Sequence, residues 1–468
     1  MNSIDYLVRF FSRNGINNIV LEKDSNIDSE IDCAIKTYKV FDRRSMAYYA
    51  MGLSQQLNAP VMIIIKNQDA VAADLLPGIT EAYYQNIPLL IVVCNERNNW
   101  LKDIEVTLGD QCNYCESILG NDWNDSDLIS KRINSVNMYL YKGRRGPALI
   151  NIDYQELGLM GNIDSCTEVL NGEAILDRID SLRKLMQEND VVLQFDESDY
   201  YSQEDIQIIK KIASCFDCGL INGNVFTLSG ITKKNCSSPT LVIQFGKCNT
   251  QHNMNSQNCM LWVVSRALDY CSFKTPELVV NCDWRVFAKR ILSGCTCSAE
   301  KTDSAGDISA FCRDNSIDII NKIIENINVK SWVFGNTIYG RNISSYFVSN
   351  KNLDCICNVN PTGSDGTVSM FIGHCVASAP VNNYLFIDSK DLSLDLNALH
   401  IRHKSGNCRI CVFVDQESLK EKNILVSWSL ATGFEIVDES HIEDFTTEYS
   451  DNPRMMMISI GRWFHEYC

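Results

Sequence analysis

Short apolar runs alternate along the chain with longer stretches in which apolar residues recur every three or four positions. Residues 60–66 and 87–94 are continuous apolar runs that predict buried strands, and residues 70–86 between them have helical periodicity. Apolar runs at 18–22 and 146–152 predict two further strands. Strands that alternate with helices at this spacing indicate a mostly parallel, doubly wound α/β sheet.

The same alternation returns twice, after polar stretches with little periodicity at 156–178 and 298–316. The chain is therefore predicted to form three α/β domains, at 1–157, 165–300 and 317–468. The predicted strands of the last two domains are 191–195, 220–221, 241–246, 261–264, 332–335, 355–358, 384–387, 409–414 and 456–460.

Residues 355–399 carry the clearest candidate site. The pattern predicts a strand, a glycine turn, a small-residue helix, a second strand and an acidic loop. Asp365 lies between Gly363 and Gly366, with Thr367 next, so the turn can bring backbone N–H groups close to an anion at the helix start. A phosphate site and a simple tight turn both remain open for this segment.

The net charge of the chain and its lack of targeting signals bear on which partners and which compartment are expected. Of 468 residues, 42 are Lys or Arg and 58 are Asp or Glu, which gives a net charge of −16. Such acidity disfavours a nucleic-acid partner. The first residues lack the features of a signal peptide, and no apolar run has the length of a membrane span. We expect a soluble, cytoplasmic protein without membrane contact.

The chain contains 21 cysteines, which we expect to stay reduced inside a cell. Two patterns are compatible with metal binding instead. His400 and His403 lie three residues apart in a predicted helix, where a metal site and an exposed pair both stay open. The second pattern is three CxxC pairs, which could be free thiols or structural zinc ligands. They are Cys112 with Cys115, Cys215 with Cys218, and Cys408 with Cys411.

Several motifs resemble those of thiamine-diphosphate-dependent enzymes, and most closely the menaquinone-pathway synthases that join isochorismate to 2-oxoglutarate. The run CNVNPTGSDGTVS at 357–369 is similar to the family's CNRGTSGIDGTVS, and DLNAL at 395–399 is identical. DRRSMAYYAMGLS at 42–54 is similar to DERSAAYYALGLS. LLPGITEAYYQNIPLLIVV at 75–93 and GPALINIDY at 146–154 also match, so the resemblance covers nearly the whole chain.

The resemblance implies a fold of pyrimidine-binding, middle and diphosphate-binding domains. It also implies thiamine diphosphate and Mg²⁺ as cofactors, with Gly363, Asp365, Gly366 and Thr367 at the diphosphate. In the family the active site forms between two subunits. A homodimer or tetramer is therefore expected, and an active relative is a second conceivable partner.

The positions that carry the family's chemistry have changed. Arg43 replaces the glutamate that accepts a hydrogen bond from the cofactor's aminopyrimidine, and a guanidinium has no acceptor. Ser389 replaces the aspartate that binds the metal, although Asp415 matches a second ligand position. An alternative is that the match to the family motif is shifted by one residue, so that Asp42 or Asp388 supplies the carboxylate instead.

The substrate contacts of the family are also reduced. Its PGSR turn corresponds to residues 23–26, where Ser25 is the matching residue and the arginine is lost. Each lost arginine removes a bidentate clamp for a substrate carboxylate. Arg97 and Arg341 still match basic positions, and each is equally compatible with a surface charge.

Three functional hypotheses follow from these substitutions. The first is a catalytically inactive member of the family that acts by binding or assembly. The second is an active transferase or lyase with a rebuilt site that uses Asp42, Asp388 and Asp415. The third is an interaction module whose ligand is another nucleotide, or that has no ligand.

Overall fold

A computed structural model gives the fold of the chain. It describes residues 2–23, 35–66, 71–95, 107–118, 120–141, 145–154, 179–195, 203–221, 240–245, 259–264, 278–280, 284–293, 315–328, 331–335, 354–356, 365–378, 381–401, 403–415, 419–447 and 450–460. These residues form three sheets in which every pairing is parallel, so the predicted α/β architecture is confirmed. None of the described helices combines the length and the apolar composition that crossing a bilayer requires.

The first sheet has the strand order β2-β1-β3-β4-β6-β5. Helices α1 and α4 bury their apolar residues on one of its faces. The elements of this segment are α1 (Ser3–Arg13), β1 (Asn18–Glu22), β2 (Lys36–Val40), α2 (Arg43–Leu57), β3 (Val61–Lys66), α3 (Val71–Tyr84), β4 (Leu89–Asn95), β5 (Tyr114–Ile118), α4 (Ser126–Tyr141) and β6 (Ala148–Asp153).

The middle sheet has five strands in the order β11-β10-β9-β7-β8. Its three described helices all pack on one face, around Phe195, Phe245 and Trp284. The elements are α5 (Ile179–Glu188), β7 (Val191–Phe195), α6 (Gln203–Phe216), β8 (Gly219–Ile221), β9 (Leu241–Phe245), β10 (Met260–Val264), β11 (Leu278–Val280) and α7 (Trp284–Leu292).

The third sheet, β13-β12-β14-β15-β17-β16, repeats the strand order of the first. The two segments therefore share one architecture, as the sequence pattern predicts. The elements are α8 (Asn315–Asn326), β12 (Trp332–Gly335), β13 (Asp354–Ile356), α9 (Thr367–Ala377), β14 (Asn383–Asp388), α10 (Ser389–Leu394), β15 (Cys408–Asp415), α11 (Leu419–Ala431), β16 (Glu435–Val437), α12 (Ile442–Thr446) and β17 (Arg454–Ile460).

The chain forms two compact units. One contains residues 1–166, 308–347 and 355–468, and therefore both six-stranded sheets. The other contains residues 167–307 and 348–354, with the five-stranded sheet. This division into two units does not test the boundaries predicted for three domains, which remain a prediction.

Two predictions of local structure are wrong. Residues 389–400 are helical, as α10 and a 3-10 turn at Leu396–His400, and do not form an acidic loop. His400 ends that turn while His403 lies beyond it, so the two histidines do not share a helix. Their rings contact different partners, Trp428 at 5.2 Å and Tyr38 at 5.7 Å between centroids.

Helices α2 and α9 cross at two glycines inside the first unit, and theirs is the most extensive contact between described elements. A Cβ atom on Gly52 would lie 1.9 Å from the carbonyl oxygen of Met370. One on Gly373 would lie 2.2 Å from the carbonyl oxygen of Tyr49. Backbone meets backbone at both points, so the first and third segments pack at a distance that only glycine permits.

We predict that Gly373→Ala lowers the free energy of unfolding of this unit by about 3 kcal/mol or more, because the added methyl group meets backbone that cannot rotate away. Urea denaturation followed by tryptophan fluorescence measures the change. Gly109→Ala is the matched control, since a Cβ there meets nothing within 4 Å. If the two variants lose equal stability, the helices are not held at this distance.

Candidate functional site

The predicted glycine turn lies directly before α9. Gly366 is in the left-handed region with φ +73°, which favours glycine. Tyr48 of α2 packs over it, and a Cβ on Gly366 would lie 2.1 Å from the tyrosine ring. Thr367 begins α9 and is buried, while Gly363 lies outside the described residues. The turn therefore fits its place only with glycine at this position.

A buried carboxylate caps the N-terminus of α9. Asp395 accepts a 2.9 Å hydrogen bond from the backbone N–H of Ser369 and a 3.1 Å bond from its hydroxyl. Burial raises the pKa of Asp395 to about 7, although the two Ser369 hydrogen bonds act to lower it. The positive end of this helix is thus already satisfied by an acid of the same chain. Asp395 falls in the DLNAL run, and nothing in that run by itself indicates that its carboxylate caps α9.

Arg44 joins α2 to this turn. Its Nη2 atom lies 3.0 Å from Oδ1 of Asp365 and donates a 3.1 Å hydrogen bond to the carbonyl oxygen of Leu394. Burial raises the pKa of Asp365, and the Arg44 guanidinium partly offsets that rise. Sequence reasoning assigned Asp365 to the site but missed Arg44, whose partners are more than 300 residues away along the chain.

Asp42 serves as the N-cap of α2, as its position before the helix predicts. Its carboxylate accepts a 3.2 Å hydrogen bond from the backbone N–H of Arg44 and another of 3.2 Å from the hydroxyl of Ser45. The side chain of Asn397 donates a third bond, at 3.4 Å. Asp42 is therefore engaged in holding the helix start.

Arg43 is the first residue of α2 and turns toward the first sheet. Its Nε atom donates a 2.9 Å hydrogen bond to Glu22, the last residue of β1. The two side chains are 19% and 22% exposed, so the pair is largely shielded from water. Where the resemblance places an acceptor carboxylate, the structure has a guanidinium paired with a glutamate from a neighbouring strand.

The metal positions of the resemblance lie at the end of the third sheet. Ser389 begins α10 directly after β14 and is 5% exposed. Asp388 is in register with Phe413, and Asp415 lies two residues further along β15, so both carboxylates point to one face of the sheet. Tyr384 shares that face and contacts Phe445 of α12.

Helix α9 covers the opposite face. Trp332 and Phe334 of β12 contact His374 of α9, at 5.0 and 4.9 Å between ring centroids. Phe334 is in register with Leu385, the residue after Tyr384, so its side chain lies on the other face from Tyr384. Asp388 and Asp415 thus point away from the side of the sheet that carries the glycine turn.

No group of three His, Cys, Asp or Glu side chains arranged to hold a metal ion occurs in the part of the chain that the structure describes. The described members of the CxxC pairs are free thiols. The predicted substrate contacts Ser25, Arg97 and Arg341 lie outside the described residues.

We predict that Asp395→Asn changes how stability depends on pH. The pKa of Asp395 is about 7 in the folded chain and near 3.8 when unfolded, so the folded state binds the proton more tightly between these values. The stability that Asp395 contributes therefore falls as pH rises from about 4 to about 7. Relative to the unsubstituted protein, Asp395→Asn should gain on the order of 4 kcal/mol across this window.

Urea unfolding at several pH values between 4 and 8 measures this difference. Asp451→Asn, at an exposed position, removes the same charge without burial and serves as the control. Asp365 and Arg44, the charged groups that act on Asp395, are unchanged in all three proteins. A stability difference that stays constant with pH would show that the Asp395 carboxyl is ionised throughout.

Comparisons with known proteins agree with this geometry. No protein-family profile matches the chain. A 2-succinyl-5-enolpyruvyl-6-hydroxy-3-cyclohexene-1-carboxylate synthase from Christiangramia forsetii is 30% identical over 149 residues, which are 26% of this chain and 25% of that protein. The matched region is thus only a quarter of that relative's length. The synthase of the same name from Bacteroides fragilis is 22% identical over 427 residues, covering 80% of this chain and 74% of that protein.

The fold itself matches solved structures over nearly the whole chain. The thiamine diphosphate-dependent 4-hydroxybenzoylformate decarboxylase of Rhodococcus jostii RHA1 superposes with a TM-score of 0.73 at 10% sequence identity. The match covers 98% of this chain and 99% of that one. The chain therefore has the fold of these thiamine diphosphate-dependent enzymes, and its sequence is similar, at low identity, to the 2-succinyl-5-enolpyruvyl-6-hydroxy-3-cyclohexene-1-carboxylate synthases.

Proposed function

We propose that this protein is a catalytically inactive member of its family that acts by binding or by assembly in the cytoplasm. The observation that carries the proposal is Arg43, which stands at the start of α2 with its Nε atom 2.9 Å from Glu22. The resemblance places the acceptor for the aminopyrimidine at this position. A guanidinium stays protonated and offers five donors but no lone pair, so it cannot take that role.

The residues at the diphosphate end support the same proposal. Mg²⁺ prefers anionic oxygen ligands, and Ser389 offers only a hydroxyl. The nearest strand-end carboxylates, Asp388 and Asp415, point to the face of the sheet opposite α9. The described residues therefore do not fit thiamine diphosphate held by Mg²⁺, and we derive no catalytic step through that cofactor.

An active transferase or lyase with a rebuilt site is the second candidate. One observation favours it: Asp388 and Asp415 end adjacent strands and share a face, so a metal ion held there would have two carboxylate ligands. Asp42, the third residue of that hypothesis, is already bound by Ser45 and the start of α2. The two candidates differ in whether the unsubstituted protein binds the cofactor.

We predict that calorimetric titration of the full chain with thiamine diphosphate and Mg²⁺ gives no saturable binding up to about 1 mM, and that the thermal midpoint does not rise. A cofactor present at about a hundred times its Kd would add about 2.7 kcal/mol of stability, which either method detects. Micromolar affinity for the cofactor would reject the inactive site and favour the rebuilt one.

A repaired variant provides the positive control for this titration. Arg43→Glu restores an acceptor and Ser389→Asp restores an anionic metal ligand. Glu22→Gln is needed as well, because a new carboxylate at Arg43 would otherwise face Glu22 at the distance of the present ion pair. The triple variant should bind the cofactor only when Mg²⁺ is present, whereas each single substitution should have little effect.

We also propose a homo-oligomer, either a dimer or a tetramer. Phe41 and Leu394 are 61% and 58% exposed, and they flank the contact in which Arg44 binds Asp365. Exposed apolar side chains that lie close together and are surrounded by polar groups are a feature of association surfaces. The resemblance supports the same proposal, because the family's sites form between subunits.

We predict that light scattering at micromolar concentration gives at least the mass of a dimer, since stable interfaces bury on the order of 2,000 Å². The double variant Phe41→Ser and Leu394→Ser should dissociate at concentrations where the unsubstituted protein stays associated. Ile424→Ser, which replaces another apolar residue that is 62% exposed, is the matched control. A monomer at all concentrations would reject the proposal.

A further inference from the structure

Helix α11 exposes large apolar side chains while it buries a serine. Ser429 is fully buried, and its hydroxyl donates a 3.1 Å hydrogen bond to Sδ of Met455 in β17. Ile424 and Trp428 are 62% and 40% exposed. Residues four apart on a helix are neighbours, so these two side chains form one exposed apolar strip on α11. Adjacent exposed apolar side chains rimmed by polar groups are a feature of interaction surfaces.

A basic segment lies beside this apolar strip. The ring of His400 packs edge-on against Trp428, at 5.2 Å between centroids. Nζ of Lys404 donates a 2.7 Å hydrogen bond to the carbonyl oxygen of Thr432, directly after α11 ends. Residues 400–404 read His-Ile-Arg-His-Lys, so all but one are basic in a chain of net charge −16. His400 and Lys404 therefore give the strip a basic border.

The ammonium group of Lys404 has no carboxylate partner in the part of the chain that the structure describes. Apart from the Thr432 carbonyl, its contact is the ring of Phe434, whose centroid lies 5.2 Å from Nζ. Burial lowers the pKa of Lys404 to about 8, which still leaves the ammonium as the main form at pH 7. An incoming carboxylate would gain a charge-assisted hydrogen bond here without displacing an ion pair.

The apolar strip and its basic border together select the class of partner. A helix with apolar side chains on one face and carboxylates beside them matches both parts of the surface. The net charge of −16 repels such a partner from the rest of the chain, so binding is confined to a basic surface. We infer that the apolar strip of Ile424 and Trp428, with its basic border, binds an acidic amphipathic helix of a partner protein.

This surface includes neither Arg43 nor Ser389, so a partner can bind it whether or not the thiamine site is active. The inference therefore goes beyond the proposed function. A peptide titration of the unsubstituted full chain, without thiamine diphosphate or Mg²⁺, tests it alone. Failure of that titration leaves the proposal of an inactive thiamine site unchanged.

Fluorescence anisotropy with labelled synthetic peptides tests the inference. The probe is a helical peptide of about 18 residues, or five turns, with leucine at every third or fourth position and glutamate elsewhere. We expect saturable binding with a Kd below about 100 μM. A peptide with lysine in place of each glutamate, and one with glutamine in place of each leucine, should each bind at least about tenfold more weakly.

Two variants separate the apolar and the basic contributions. Ile424→Ser should weaken binding of the acidic peptide about tenfold, because the strip loses its most exposed apolar side chain. Lys404→Gln removes the charge but keeps a donor for the Thr432 carbonyl, and it should make the affinity less dependent on salt. Leu185→Ser and Lys131→Gln, at exposed positions of α5 and α4, are the matched controls and should bind the peptide normally.

Three results would overturn the inference: no saturable binding of the acidic peptide, equal affinity for either altered peptide, or unchanged affinity in Ile424→Ser. The comparison of peptides needs only the unsubstituted protein, so it decides the question even if a variant does not fold. A second copy of the chain is the other occupant that such a strip can take. Light scattering in which Ile424→Ser dissociates while the unsubstituted protein stays associated would assign the strip to that copy and reject the acidic partner.

Discussion

The close crossing of α2 and α9 sets the geometry of everything around the candidate site. Gly52 and Gly373 let the two helices touch backbone to backbone, one from the first segment of the chain and one from the third. This contact places Tyr48 over Gly366 and brings Arg44 to Asp365. Without it, the start of α2 and the glycine turn would not lie together.

The charged groups at this crossing are balanced within the chain. Arg43 pairs with Glu22, Arg44 pairs with Asp365, and the buried Asp395 carboxyl caps α9. The energies of the exposed pairs are small: Arg44 is 43% exposed, and ion pairs in such surroundings contribute about 0–1 kcal/mol. An incoming ligand would displace such a pair at little cost. The pair of Arg43 with Glu22 is more shielded, at 19% and 22% exposure, and a guanidinium offers no acceptor whichever partner it has.

The first and third sheets have the same strand order but carry different candidate residues. Their six strands follow the same order, and in each the candidate residues lie at the carboxyl end of a strand or the start of a helix. The sheets supply rigid ends at fixed spacing, while single residues such as Ser389 decide what those ends can bind. A fold can thus stay intact after its reactive groups are replaced, because the cores of the sheets do not use them.

The sequence by itself determined the interior strands, because a strand buried on both faces is an unbroken apolar run, as in VMIIIK of β3 and LLIVVCN of β4. It did not reveal four strands, β2, β5, β11 and β16, and all four lie at sheet edges. Three of them have mixed sequences, KTYKV, YCESI and EIV, because an edge strand is partly exposed, and the fourth has only three residues.

The sequence also identified Arg43 and Ser389 as the altered positions, since each falls inside a run of residues that resembles the family's. Only the tertiary structure decided their surroundings. Glu22 at the end of β1 contacts Arg43 at the start of α2, and Asp365 contacts Arg44 from more than 300 residues away along the chain. The apolar pattern of a segment records which of its faces is buried but not which distant segment covers that face. The partners of a side chain are therefore fixed only when the helices and sheets pack.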